Sequence, residues 1–315
     1  MGDGTKKKPY TNKDVLRLIK KNGGPEGLDL SERWFEFEID LHGLDLEGIN
    51  LSESHLNGAN LEGANLHNAI LIKANLPLTN LKKARLDNAL LREANLHRAD
   101  IEKASFRYVD LSWANLEFVN LRADFRGAGL WGANLMDAEF PRDALLEEVE
   151  WGDFILGEDQ EGWFEEAKAT YHRLKMWYTE HGVPDIAAQF YFREKEAERK
   201  GASRRRDRMK MWFSWAFFGY GEGWKRILIW IASCISLFTL IYFLIGKFLP
   251  SVGTLTPDTL TNSLYYSAVS FITLGYGSWI QNTTGWVKGL GVFEAFIGFF
   301  MMTLLLVTFV RKWTR

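Results

Sequence analysis

Residues 59–76 read ANLEGANLHNAILIKANL, and this stretch repeats itself every five residues. A large apolar residue stands at every fifth position, and an alanine stands two residues before most of them. A period of five matches neither the 3.6-residue period of a helix nor the two-residue period of a strand. It is typical of a coil that turns a corner every five residues. The large and the small residue then both point inward, and stacked coils bury one continuous core.

The repeat extends in both directions from this stretch. Asn or Asp often precedes the large residue, and both suit corners because they tolerate left-handed backbone and bond nearby backbone groups. The register slips by one residue at 123–125 and then continues through Leu130, Leu135 and Phe140. Before the slip, the large residues are Leu41, Leu46, Leu51, Leu56, Leu61, Leu66, Leu71, Leu76, Leu81, Leu86, Leu91, Leu96, Ile101, Phe106, Leu111, Leu116 and Leu121.

The motif A-(N/D)-L-x-x, repeated so many times, resembles the pentapeptide-repeat family. The resemblance implies a right-handed quadrilateral β-helix with four repeats per coil, which we assign to residues 41–156, behind an N-terminal cap at residues 1–40. Such a solenoid is either only a scaffold or a docking surface for an unknown cytoplasmic partner. Its outer positions mix acidic and basic residues, unlike relatives that mimic DNA with one acidic face. We therefore expect no nucleic-acid partner.

The period becomes helical after the repeats. One apolar stripe runs through Phe164, Ala167, Tyr171, Leu174 and Tyr178, and a Gly-Val-Pro-Asp break at 182–185 precedes a second helical stretch. The sequence therefore predicts an α-helical hairpin over residues 157–202.

A basic block followed by an aromatic block occupies residues 203–224. This order predicts an interfacial amphipathic helix, with its basic groups near lipid headgroups. Nucleic-acid binding is the rival reading of the basic block, but the apolar runs that follow explain it better.

Two apolar runs, at about 226–249 and 286–310, are each long enough to cross a bilayer. Basic residues precede the first run and follow the second, while the segment between them has no Lys or Arg. The positive-inside rule then places both termini in the cytoplasm. Residues 225–315 are thus predicted to be a two-span membrane domain of a multi-pass cell-membrane protein.

The segment between the runs carries the strongest functional signal. Pro257-Asp258 can start a helix, Leu260 to Phe271 can continue it, and Thr273-Leu274-Gly275-Tyr276-Gly277 follows. This order and these five residues resemble the pore helix and T-V-G-Y-G selectivity filter of potassium channels. The resemblance implies that backbone carbonyls and the Thr273 hydroxyl replace the water around K⁺, and that four chains each supply one loop. It implies no cofactor and no metal other than the permeant cation.

Two departures leave strict K⁺ selectivity open. Leu274 replaces the family's valine, and Ser278-Trp279 stand where the family usually has an aspartate. A second Gly-Tyr-Gly, at 219–221, precedes the first span and follows no pore helix, so it is not expected to be a filter.

Two residues of the second run are candidates for gating or pore support. Glu294 is a carboxylate inside a span, where charge is expensive. It either bonds the back of the filter or pore helix, or sits near the outer interface. Gly298 is either a gating hinge or a small residue that allows close helix packing.

The sequence as a whole resembles prokaryotic pentapeptide-repeat ion channels and predicts a homotetrameric, potassium-type cation channel. The alternatives are a non-selective cation channel and a membrane-tethered scaffold with a vestigial pore. No nucleophile-elbow, Walker or metal-ligand motif occurs, so we do not expect an enzyme. The single cysteine, Cys234, excludes a disulfide framework within the chain.

Overall fold

The computed structural model describes residues 2–221, 224–248, 260–273 and 286–313. The chain forms two compact units, residues 1–201 and residues 202–315. The first unit holds the five-residue repeats and four helices, and the second holds the two apolar runs.

The repeats form a stacked solenoid in which each coil takes twenty residues. Parallel bridges join Asp40 to Asn60, Asn60 to Asn80 and Asn80 to Asp100, and the ladder runs from Asp29 to Glu150. Twenty residues are four pentapeptides, as the family resemblance implies. The β character is limited to these isolated bridges, and no longer strand occurs in the part of the chain that the structure describes.

The slip near residue 124 appears as a change in the ladder. Ser105 pairs with Asp124, nineteen residues on, whereas Asp124 pairs with Leu145, twenty-one residues on. One turn of the solenoid is therefore one residue shorter than twenty and the next is one residue longer. The two changes cancel, so the stacking of the coils continues.

The interior of the solenoid consists of columns of leucine and alanine. Leu61, Leu66 and Leu86 are fully buried, as are Ala64 and Ala89. Burying each leucine contributes about 1.5–3 kcal/mol, and the small alanines let neighbouring sides of a coil approach closely.

The corners differ from the sequence-based expectation. The left-handed residue is the second after the leucine, as at Lys73 (φ 57°), and it is Asn or Asp only at Asn68, Asn88 and Asp137. Asparagines before the leucine occupy the bridges instead. The Asn60 Oδ1 atom accepts a bond from the Glu62 amide at 3.2 Å, so the expected bond to nearby backbone does form.

Helices lie at both ends of the repeats. Helix α1 (Asn12–Asn22) begins with a capping box between Thr11 and Asp14, and its Val15 joins the core. After the last coil come α2 (Gly157–Gln160), α3 (Phe164–Glu180) and α4 (Pro184–Gly201).

Helices α3 and α4 pack on each other and on the last coil. The rings of Tyr178 and Phe190 stack with centroids 5.7 Å apart. The Tyr178 hydroxyl donates to the Leu146 carbonyl at 2.8 Å and accepts from the Trp151 indole at 2.7 Å. The helices thereby cover the open end of the solenoid core.

The second unit contains α5 (Arg205–Phe218), a short 3₁₀ turn (Gly219–Gly221), α6 (Trp224–Phe248), α7 (Leu260–Thr273) and α8 (Trp286–Trp313). Two segments are long and apolar enough to cross a membrane, Lys225–Ile245 of α6 and Gly289–Val310 of α8. Helix α7 contacts both of them. The polarity of α5 changes along its length, from arginines at its start to aromatic residues at its end, rather than between two faces.

Candidate functional site

The filter sequence starts where α7 ends. Thr273 is the last residue of α7, while Leu274, Gly275, Tyr276 and Gly277 lie outside the described residues, as does the expected helix start at Pro257-Asp258. The contacts of α7 therefore fix the position of Thr273, the first residue of this sequence.

Helix α7 is held by polar and apolar contacts with the two spans. Its serines Ser263, Ser267 and Ser270 are buried. Near its end, Phe271 is buried in a cluster with Ile227 of α6 and Met301 of α8. Three helices thus converge on the last turn before the filter sequence.

Glu294 links all three helices. Its side chain is fully buried. The Tyr242 hydroxyl of α6 donates to its Oε2 atom at 2.7 Å, and the Ser267 hydroxyl of α7 donates to its Oε1 atom. The sequence left open whether Glu294 bonds the pore helix or sits near the outer interface. In the structure its carboxylate is bonded to α7. Hydrogen bonds to both carboxylate oxygens offset part of the cost of burial.

Tyr242 was missed by the sequence reasoning. The available signal was a tyrosine inside an apolar span, because a buried Tyr hydroxyl usually finds a hydrogen-bond partner. The sequence could not say which residue that partner is.

Gly298 lies against the backbone of α7. A Cβ atom at this position would be 2.0 Å from the Phe271 carbonyl oxygen and 3.0 Å from its Cα atom. The distance to the oxygen is far shorter than a Cβ contact can be, and the distance to the Cα atom is at the limit. The structure thus shows close packing at Gly298, one of the two roles that the sequence left open.

The second Gly-Tyr-Gly ends α5 and turns the chain toward α6. Gly219 (φ 50°) and Tyr220 (φ 57°) both have left-handed backbone. Just beyond the turn, the Arg226 Nη1 atom donates to the Trp215 carbonyl at 2.7 Å, and the Trp230 indole donates to the Ala216 carbonyl at 3.1 Å. The sequence did not single out Arg226 or Trp230, because their partners depend on this turn.

Two family models match the chain. The model described as pentapeptide repeats matches residues 45–82 and 79–117, with eight copies, and the model described as ion channel matches residues 227–315. This chain joins pentapeptide repeats to an ion channel domain. Neither family consists of enzymes. In this pentapeptide-repeat channel chain, the channel match includes α7, Glu294 and Gly298. The ion channel domain and the two apolar helices make it a membrane protein.

Solved structures similar to the chain are pentapeptide-repeat proteins. One, from the thylakoid lumen of Arabidopsis thaliana, is 24% identical, with 38% of this chain and 68% of that chain covered and a TM-score of 0.23. One from the cyanobacterium Cyanothece 51142 is 32% identical, with 34% and 66% covered and a TM-score of 0.22. A third, involved in heterocyst differentiation regulation in Nostoc sp. strain PCC 7120, is 30% identical, with 39% and 69% covered and a TM-score of 0.18. The comparison with curated proteins gave no match.

Proposed function

We propose that the protein is a homotetrameric, potassium-type cation channel that conducts ions passively through residues 273–277. The observation that carries the proposal is the placement of α7. It lies against both spans of an ion channel domain and ends at Thr273, where the Thr-Leu-Gly-Tyr-Gly sequence begins.

Four chains are needed because each chain supplies one loop. A desolvated K⁺ needs rings of oxygen ligands around one axis, and four copies of residues 273–277 provide them. Glycines at 275 and 277 allow backbone conformations in which successive carbonyls face that axis. K⁺ is then the permeant ion rather than a bound cofactor.

The pentapeptide repeats would lie in the cytoplasm, as would both ends of residues 1–315, because the basic residues flank the spans on that side. We infer a right-handed winding for the solenoid from the family resemblance, and we assign α3 and α4 as a helical hairpin that closes it. The solenoid would serve as a scaffold or as the docking surface of a cytoplasmic partner.

Ion flux into liposomes tests this proposal. Purified full-length protein should form tetramers and should admit K⁺, and Gly277→Ala should abolish the flux because a Cβ atom obstructs the carbonyl geometry. Gly221→Ala is the matched control, since it changes the other Gly-Tyr-Gly, and it should keep the flux. Tetramers that conduct no ion would favour a membrane-tethered scaffold instead.

A further inference from the structure

Helix α8 meets α7 through three positions on one of its faces. Gly291, Glu294 and Gly298 are spaced by three and four residues, so they lie along the same side of the helix. A Cβ atom at Gly291 would lie 3.0 Å from the Tyr266 hydroxyl. The other two positions make the closest contacts, Glu294 by a hydrogen bond and Gly298 by backbone packing.

The Gly298 contact fixes the distance between α8 and the end of α7. A Cβ atom there would be 2.0 Å from the Phe271 carbonyl oxygen, and Phe271 precedes Thr273 by two residues. Carbon and oxygen atoms repel strongly at that distance, so any side chain at 298 must push the two helices apart by about 1 Å. The obstacle is backbone, which cannot rotate away as a side chain could.

The Glu294 bond fixes the position of α7 along α8. Ser267 lies one helical turn before Phe271 and is fully buried. The contact of its hydroxyl with the Glu294 carboxylate is shorter than its 3.1 Å contact with the Ile235 carbonyl of α6. Because Tyr242 holds the other carboxylate oxygen, the acceptor is itself oriented. One contact thus sets the separation of α7 from α8, and the other sets its register.

We propose that Gly298 and Glu294 are positioning residues that set ion selectivity by seating the end of α7. This inference rests on the proposed channel function. Thr273 is continuous with α7, so a displacement of the helix end moves the first ligands of the filter. Cation discrimination depends on the arrangement of those ligands. Gly298 then serves as the packing surface for the end of α7 and not as a hinge of α8.

The test is the Na⁺ to K⁺ permeability ratio, taken from reversal potentials of purified tetramers in planar bilayers. Gly298→Ala should raise this ratio by about tenfold, the change that a loss of about 1.4 kcal/mol of discrimination produces. Ser267→Ala should change it in the same direction. Gly289→Ala is the matched control, because a Cβ atom there meets nothing within 4 Å, and it should leave the ratio unchanged.

The possible outcomes distinguish the positioning of α7 from other roles of Gly298 and Glu294. If Gly298→Ala changed the open probability but left the permeability ratio at the wild-type value, Gly298 would be a hinge and the inference would be overturned. If Gly298→Ala failed to assemble, an unchanged ratio in both Ser267→Ala and Glu294→Gln would overturn it. If the wild type preferred K⁺ and all three variants kept its permeability ratio, the positioning role would be contradicted but the proposed channel function would stand. A wild type that conducts neither ion overturns the proposed function and the inference together.

Discussion

Arg226 of α6 caps the end of α5 by donating a hydrogen bond of 2.7 Å to the carbonyl oxygen of Trp215. The last carbonyls of a helix lack the amide donors of a following turn. The Trp215 carbonyl accepts from the Gly219 amide as well as from Arg226, and the Ala216 carbonyl accepts from the Trp230 indole. The Arg226 guanidinium also lies over the Trp215 ring, 5.1 Å from its centroid. Together with the Trp230 indole, Arg226 connects α5 to the first turns of α6, so a movement of α5 would be transmitted to this span.

Removing both caps should loosen the end of α5. We expect Arg226→Met with Trp230→Phe to raise amide hydrogen exchange in residues 212–221 by about thirtyfold, since each of the two lost bonds contributes about 1 kcal/mol. The measurement is hydrogen–deuterium exchange with mass spectrometry on the full-length protein in detergent. Ser236→Ala is the control, because the Ser236 hydroxyl donates to the Ala232 carbonyl of its own helix. Unchanged exchange in the double variant would mean that the caps do not hold the joint.

Tyr242→Phe should lower the thermal stability of the membrane domain without preventing it from folding. The variant removes one of the two donors to the buried Glu294 carboxylate, which should cost about 1.5–3 kcal/mol. The measurement is thermal unfolding of the purified protein in detergent, with Thr303→Ala as the control because the Thr303 hydroxyl donates to the Phe299 carbonyl of its own helix. A midpoint equal to that of the control would show that the Tyr242 bond contributes nothing.

Glu158 should make the stability of the repeat unit depend on pH. It is fully buried in α2, where its Oε1 atom accepts from the Leu135 amide and the Thr170 hydroxyl, both at 3.1 Å. Burial raises the pKa of its carboxyl from 4.5 to about 7. The unfolded chain therefore releases the proton at a lower pH than the folded chain does. Stability from this group is complete below pH 4.5 and is lost as the pH rises to about 7.

Glu158→Gln should abolish the loss of folding stability that the wild type shows as the pH rises. We expect the variant to gain up to about 3 kcal/mol over the wild type between about pH 4.5 and 7.5, at about 1.4 kcal/mol per pKa unit. Urea unfolding at both pH values, followed by circular dichroism, measures the difference. Glu165→Gln, at an exposed position nearby, should leave the wild-type pH dependence in place. A wild type and a Glu158→Gln variant with the same pH dependence would contradict the prediction.

Two glycines at equivalent corners test the packing of the coils. Gly63 and Gly132 have nearly the same left-handed backbone (φ 65° and 66°), but a Cβ atom at Gly63 meets nothing within 4 Å. At Gly132 it would lie 2.6 Å from the Trp113 ring of the coil before. Gly63→Ala should cost about 1 kcal/mol for the backbone alone, and Gly132→Ala should cost about 1–3 kcal/mol more. Equal losses in urea unfolding would show that the Trp113 ring moves aside freely.

The period of five predicted the solenoid well because it is a local pattern. The place of each leucine in its own repeat is enough to predict that it points into the core. The twenty-residue ladder follows from four corners per coil. The corner chemistry was predicted less well. Asparagine is common in left-handed turns, but here most asparagines stand at the backbone bridges before the leucine, and residues such as Lys73 and Glu93 take the left-handed conformation instead.

The contacts around α7 could not be predicted in the same way. The apolar runs predicted α6 and α8, because length and hydropathy are properties of each segment alone. Tyr242 and Glu294 are fifty-two residues apart, and their bond depends on the rotation of both helices about their axes. The Gly298 contact with Phe271 depends on the same rotation. Sequence therefore identified Glu294 and Gly298 as candidates, whereas only the packed helices identify their partners.

The most direct test of the channel assignment is the reversal potential of the purified wild-type tetramer with K⁺ on one side of a bilayer and Na⁺ on the other. A filter at residues 273–277 of the potassium type predicts a reversal potential close to the K⁺ equilibrium potential. A potential near zero would mean equal permeability to both ions and would make the protein a non-selective cation channel. The absence of any current from assembled tetramers would contradict the assignment altogether.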